Sequence, residues 1–339
     1  LRNHFYRFPG VDNSKDKTLS AMLRMAVIAQ TQEVFEKAPT ETDEQRAAKA
    51  AQEGLVKQLF VELKRDFKPS DLPPYTLVKL GMHLANTSQP EESIAYFDEI
   101  LDPSEPNPVR KQARINGMSK YRKNAVFGKA VALGRSKDNA KVDTAIKMMR
   151  DELSKEESSS NPDRKAMEDA QYNLVKFTAA RQDWPAVIAA AEKYRADKSY
   201  KKNLPEVLFL QGQAYLKQNE PDKALVCFMN ITGADYKGLV KWSAPAMLAQ
   251  MDTLWNRNRM SQGTGKQPSD RYVAWRTGSQ YVQLLDTPAN RKRMTAEDSD
   301  LLNQVKDKVS RFGSDPAVSQ ERSDIAAYEA AIRSARGQK

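Results

Sequence analysis

The chain has 339 residues, 40% of them hydrophobic, with 14 glycines, one cysteine and a formal net charge of +10. A single cysteine excludes an internal disulfide, and no apolar run approaches the ~20 residues that a bilayer-spanning helix needs. Scarce glycine, abundant Ala, Lys, Gln, Leu and Glu, and little β-branched alternation point to helix throughout, at a length that suits two globular domains or one helical array.

In chain order, residues 1–17 read as an irregular arm, with Pro9 and Gly10 in a polar run and no secretory pattern in LRNHFYRFPG. Leu1 in place of Met is what a processed chain or a piece of a longer one would show. A helix follows at about 18–38, carrying Leu19, Met22, Leu23, Met25 and Ile28, and another at about 44–65. Asp71 and Pro73 read as cap and first turn of a helical pair over 71–101, closed by DPSEPNP. Residues 108–134 predict one long helix, or two with a break near Gly117, with a partner at about 139–154. After the polar loop KEESSSNPD, helices are expected at about 162–181, 184–196, 204–218, 221–231 and 236–258. SQGTGKQPSD is the most loop-like segment, and helices near 270–286, 297–311 and 318–336 complete about seven pairs.

One spacing recurs. In LFLQGQAYLKQNEPDKALVCF, residues 208–228, Leu208, Gly212 and Tyr215 precede Ala224 and Phe228, with Pro221 starting the second half. Small Gly212 and Ala224 permit close approach, while Tyr215 and Phe228 supply apolar surface. Residues 77–97 repeat the register with Leu77, Leu80, Gly81, Leu84, Ser93, Phe97 and Pro90. A looser copy has Leu174, Phe177, Ala186 and Ala190 near Pro185, and a half-copy has Trp242, Ala246 and Ala249. This pattern resembles the tetratricopeptide repeat, a helix–turn–helix unit of about 34 residues, over about half of the chain.

The resemblance implies an all-α fold, a right-handed superhelical solenoid of about seven hairpins whose first helices line a concave groove for partner proteins. It would run over 18–259, followed by a flexible loop at 260–269 and degenerate or capping repeats over 270–339. Carried over by position, the groove residues are Phe209, Gln213, Leu216 and Lys217 in the best copy and Val78, Met82, Ala85 and Asn86 in the earlier one. Gln171, Val175, Met247 and Met251 are their counterparts in the weaker copies. The alternative for each is burial between neighbouring helices. One subset of the family grips a terminal carboxylate with Lys and Asn at set positions; Phe209 and Gln213 stand there, so that pattern is absent. An apolar groove containing Met suits adaptable protein contacts.

Other motifs carry less. GTGK lacks the earlier glycine of a phosphate loop, because Met260 stands there, and Gln267 replaces the Ser or Thr after the lysine. His4 and His83 are the only histidines, and no Cys or His spacing fits a metal site. Glu91 and Glu92 suit a helix start, and buried Cys227 reads as a small core residue. No catalytic set, cofactor or metal is nominated.

Charge is uneven. Between Asn107 and Arg150 the basic residues include Arg110, Lys111, Arg114, Lys120, Arg122, Lys123, Lys129 and Arg135, opposed only by Asp138 and Asp143. This segment's excess equals the whole chain's net +10. It would attract an acidic protein, or anionic lipid headgroups at a membrane surface, ahead of nucleic acid; a solvated helix surface is the plain alternative. The expected function is a non-enzymatic protein-interaction scaffold or adaptor. The alternatives are an obligate structural or regulatory subunit of a large, cell-envelope complex, or the repeat portion of a protein whose active domain precedes residue 1. The style resembles bacterial envelope and assembly-associated members of the family, which favours a periplasmic or envelope setting over the cytoplasm.

Overall fold

Local signals set the helix starts. Thr42 and Gln45 form a reciprocal capping box, Asn107, Asp138, Asp183 and Ser269 accept first-turn backbone N–H groups, and Thr295 forms a second box with Asp298. Prolines take the first turn where no side chain caps, as at Pro90 and Pro221. The computed structural model describes residues 17–37, 42–87, 89–233, 240–263 and 267–337. Among them are 16 α-helices and no strand. The expected arm lies almost wholly outside the described residues. Contacts divide the chain into two units, residues 1–173 and 174–339.

The first unit holds α1 (Lys17–Lys37), α2 (Asp43–Asp66), α3 (Pro74–Asn86), α4 (Pro90–Leu101), α5 (Pro108–Gly117), α6 (Ser119–Gly134) and α7 (Asn139–Glu157), and the division falls within α8 (Arg164–Ala180). The expected break near Gly117 is present, with buried Met118 between α5 and α6. Asp71 does not cap α3. It ends a short 3-10 turn, Pro69–Asp71, and accepts the Lys68 N–H, while Pro73 precedes the helix. Helices pack in sequence: α1 on α2, α3 on α4, both on α6, and α6 on α7. The fully buried Phe97 ring lies between two glycines. A Cβ on Gly81 would stand 2.8 Å from that ring, and one on Gly128 of α6 closer still.

The second unit holds α9 (Trp184–Ala196), α10 (Leu204–Lys217), α11 (Pro221–Thr232), α12 (Val240–Arg257), α13 (Asp270–Leu285), α14 (Pro288–Arg291), α15 (Ala296–Gly313) and α16 (Pro316–Gly337). Each of α9 to α13 packs on the next, α15 covers α12 and α13, and α16 touches α13 and α15. A Cβ on Gly212 would stand 2.5 Å from the Phe228 ring, so the close approach read from the spacing is real. Asn219, at φ 58, turns the chain between α10 and α11, and Gln182, at φ 57, turns it after α8. The partner of α12 is α13, reached through a long loop. Arg257 bridges Asp270 and Asp222, and the Asp270 N–H donates to the Arg259 carbonyl at 3.0 Å, so the loop base is clamped. Burial pushes the Asp270 carboxyl up, but Arg257 and the Arg259 N–H outweigh that and hold it below its usual value.

Candidate binding surfaces

On α10 one side packs and the other stays open. Leu208, Gly212 and Tyr215 are buried, whereas Gln213, Leu216 and Lys217 are exposed and Phe209 is half-buried with its ring 5.9 Å from Phe228. On α3, Met82 is half-buried and Asn86 exposed, while Val78 and Ala85 are buried. Four more expected groove residues, beside Val78 and Ala85, do not face an opening. Gln171, Val175, Met247 and Met251 are buried. Met251 is covered because Gly278 lets α13 come close: a Cβ there would stand 2.6 Å from its Sδ.

Four cations of the basic segment pair with carboxylates that lie outside it in sequence. Lys111 pairs with Asp102 at 2.5 Å, Arg114 with Glu99 at 3.2 Å and Lys129 with Asp98 at 2.6 Å. Lys123 holds Glu156 at 2.7 Å and Asp163 at 3.2 Å, cinching the loop that follows α7. Arg135 donates to the Ala85 carbonyl at 2.5 Å, and Arg122 to the Leu101 carbonyl at 3.4 Å. Lys120 lies over the Tyr121 ring, and Arg110 is exposed. The sequence excess is therefore offset in part by these carboxylates.

A groove that the pattern did not reveal lies between α2 and α3. Its volume is about 780 Å³, and its lining includes Lys57, Phe60, Val61, Lys64, His83 and Asn86. The Phe60 and His83 rings stack across it at 4.1 Å, with 15° between their planes. Burial, with Lys57 nearby, holds the imidazole below its usual pKa. The matching helices of the second unit, α9 and α10, are stitched together. Arg195 donates to the Gln211 amide oxygen at 2.9 Å, and the Tyr215 hydroxyl donates to Glu192 at 3.2 Å. Gln211 is fully buried, and Cys227 beside it has its thiol pushed up to about 11 by burial. In the first unit the same register carries Lys64, Leu80, Leu84 and Val61, which cannot make these bonds. Setting the two copies side by side, with Val61 for Glu192 and Leu84 for Tyr215, was the signal available in the sequence.

A second cavity, about 580 Å³, opens between α16 and the loop before α13, with Ser261, Pro268, Arg276, Glu321, Ile325 and Tyr328 on its walls. The Ser269 N–H donates to Glu321 at 2.8 Å, tying that loop to α16. Among the described residues, no group of three or more His, Cys, Asp or Glu side chains could hold a metal ion, and no helix is long and apolar enough to cross a membrane. In comparisons with known proteins, neither a family model nor a curated protein matches the chain.

Proposed function

We propose that the chain is a non-enzymatic protein-interaction scaffold of the tetratricopeptide type, its hairpins forming a superhelical solenoid. The observation that supports this reading is the division of labour on α10. Gly212 and Tyr215 are used for packing, which leaves Phe209, Gln213, Leu216 and Lys217 as a mixed apolar and polar stripe at helical spacing. Such a stripe suits an extended or helical segment of another protein, with Phe209 and Leu216 as apolar contacts and Gln213 and Lys217 as polar ones. Partner attraction by the basic segment has less support, since four of its eight named cations already pair with carboxylates.

Amine-directed crosslinking in the native source, read by mass spectrometry, tests this through Lys217. The expected result is crosslinks from Lys217 to other proteins that disappear in a Leu216→Asp chain of unchanged helicity. Failure of any protein to reach Lys217, or crosslinks indifferent to Leu216→Asp, would remove the α10 stripe as a binding surface.

A further inference from the structure

The α2–α3 groove has a sign and a spacing of its own. Lys57 and Lys64 stand seven residues apart on α2, roughly 10 Å along its axis and on one face. Phe60 and Val61 fall between them, Phe60 in the floor against His83 and Val61 on the rim, 63% exposed. Arg65 adds a third cation one residue beyond Lys64. Among the described lining residues, Glu53 is the one carboxylate set against these three. Lys57 pairs with Glu53 at 2.8 Å, Lys64 with Glu92 in the first turn of α4, and Arg65 with Asp66, which Arg24 also holds. The two lysines and their glutamates are all partly open to solvent. Ion pairs of that exposure contribute little to stability, so the lysines exchange one carboxylate for another at small cost. The charge of Lys57 reaches the floor in spite of Glu53: after burial, it is the second cause that holds the His83 imidazole below its usual pKa.

This layout discriminates among occupants. A compact anion such as phosphate is held by donors that converge, whereas these cations are strung out along a helix. A single strand of nucleic acid uses a row of stacking faces, and the groove offers one, the Phe60–His83 floor. An extended peptide sets its same-face side chains about 7 and 13 Å apart, to either side of the lysine spacing. A helix lying alongside α2 repeats that spacing, with an acidic residue at i, an aromatic at i+3 or i+4 and an acidic residue at i+7. We propose that the α2–α3 groove binds an acidic amphipathic helix of another protein. Its carboxylates meet Lys57 and Lys64, and its aromatic ring sits beside Val61 over Phe60 and His83. At the matching places of the second unit Tyr215 and Glu192 fill the space, so the seam between α9 and α10 leaves no room for such a ring. The groove is separate from the α10 stripe and stands whether or not that stripe binds a partner.

Two synthetic helical peptides, fluorescently labelled at one end, test this by anisotropy with the full chain. One carries two glutamates at the lysine spacing with a phenylalanine midway; the other has lysines in place of the glutamates. The acidic peptide should bind more than about tenfold tighter than the basic one, and less tightly as salt rises. Lys57→Gln with Lys64→Gln should level the two peptides, and Lys57→Glu with Lys64→Glu should reverse their order. Exchanging the phenylalanine of the acidic peptide for alanine should cost about tenfold. At saturation the His83 ring-proton NMR signals, assigned through His83→Phe, should shift. Equal binding of the two peptides, an order that survives charge reversal in a chain of unchanged helicity, or His83 signals that stay still overturns the proposal. So does the absence of binding up to about 1 mM peptide. An oligothymidylate that displaces the labelled acidic peptide as readily as the unlabelled peptide does would also overturn it, in favour of a nucleic-acid surface.

Discussion

The helices α2–α4 and α9–α11 follow one plan and solve it differently. In both, a glycine on the middle helix admits a phenylalanine from the third: Gly81 with Phe97, Gly212 with Phe228. In the first unit Phe97 is also roofed by Gly128, so one ring joins two successive hairpins. In the second, buried Ala246 shares the core of Phe228, and the cohesion shifts to a half-buried polar network between the first and middle helices. Apolar sharing leaves the α2–α3 side free to open, whereas polar stitching closes α9 on α10. The same hairpin template thus yields a groove in one place and a sealed seam in the other.

The largest test removes the rings. Phe97→Ala and Phe228→Ala should each cost about 3–5 kcal/mol, with Phe97→Ala the worse because its cavity opens against two helices that carry no side chain there. Urea unfolding followed by circular dichroism gives the order. Equal losses would mean that Gly128 does not couple the hairpins. The glycines give a sign test of the same comparison. Gly→Ala inside a helix ordinarily gains about 1 kcal/mol, and Gly54, with open space around its Cβ position, should show that gain. Gly212→Ala and Gly128→Ala should instead lose about 1–3 kcal/mol from overpacking. Stabilisation at Gly212 would break the close-approach account of the hairpin.

The polar seam is the next test. Gln211→Leu copies the residue of the first unit into the second and leaves the Arg195 guanidinium without its amide partner. The expected loss is about 1 kcal/mol, the worth of a hydrogen bond whose donor is half-buried and can still reach water. Adding Arg195→Lys, which copies Lys64, should recover part of that loss by letting a flexible amine reach water. If Gln211→Leu were neutral, the network would be incidental to holding α9 on α10.

These contrasts also mark what could be read from the chain alone. The hairpins at α3–α4 and α10–α11 were legible because Leu, Gly, aromatic and Pro recur at short fixed spacing, so each contact lies within one helical pair. The Gly128–Phe97 contact was not, because it joins separate pairs and a lone glycine in a helix carries no directional signal. Met247 and Met251 read as groove residues from register, yet they are buried, since α13 follows through a long loop and Gly278 brings it close. The pairing of Lys111, Arg114, Lys123 and Lys129 was not legible because their carboxylates, Asp98, Glu99, Asp102, Glu156 and Asp163, fall outside the counted window. Local periodicity reports helices and their pairing. Which face meets water depends on partners distant in sequence.

The smallest expected effect separates the two regions by pH. His83 sits in the α2–α3 groove, where the matching residue of the second unit is Ala214. Burial first, and Lys57 second, hold its pKa below the ordinary 6.5. The unfolded chain therefore takes up a proton before the folded one does. Stability from this group is complete above about pH 6.5, falls as the pH drops below it, and levels off once the folded imidazole is also protonated. His83→Phe keeps a ring against Phe60 and removes the titration. Urea midpoints of the two chains should therefore keep a constant difference above pH 6.5 and shift in favour of His83→Phe toward about pH 5. His4 is common to both chains and drops out of the difference. A difference that stays flat across this window would show that the groove leaves the imidazole as free to charge as water does, and the stacked floor would then not be the closed apolar surface on which a docking ring depends.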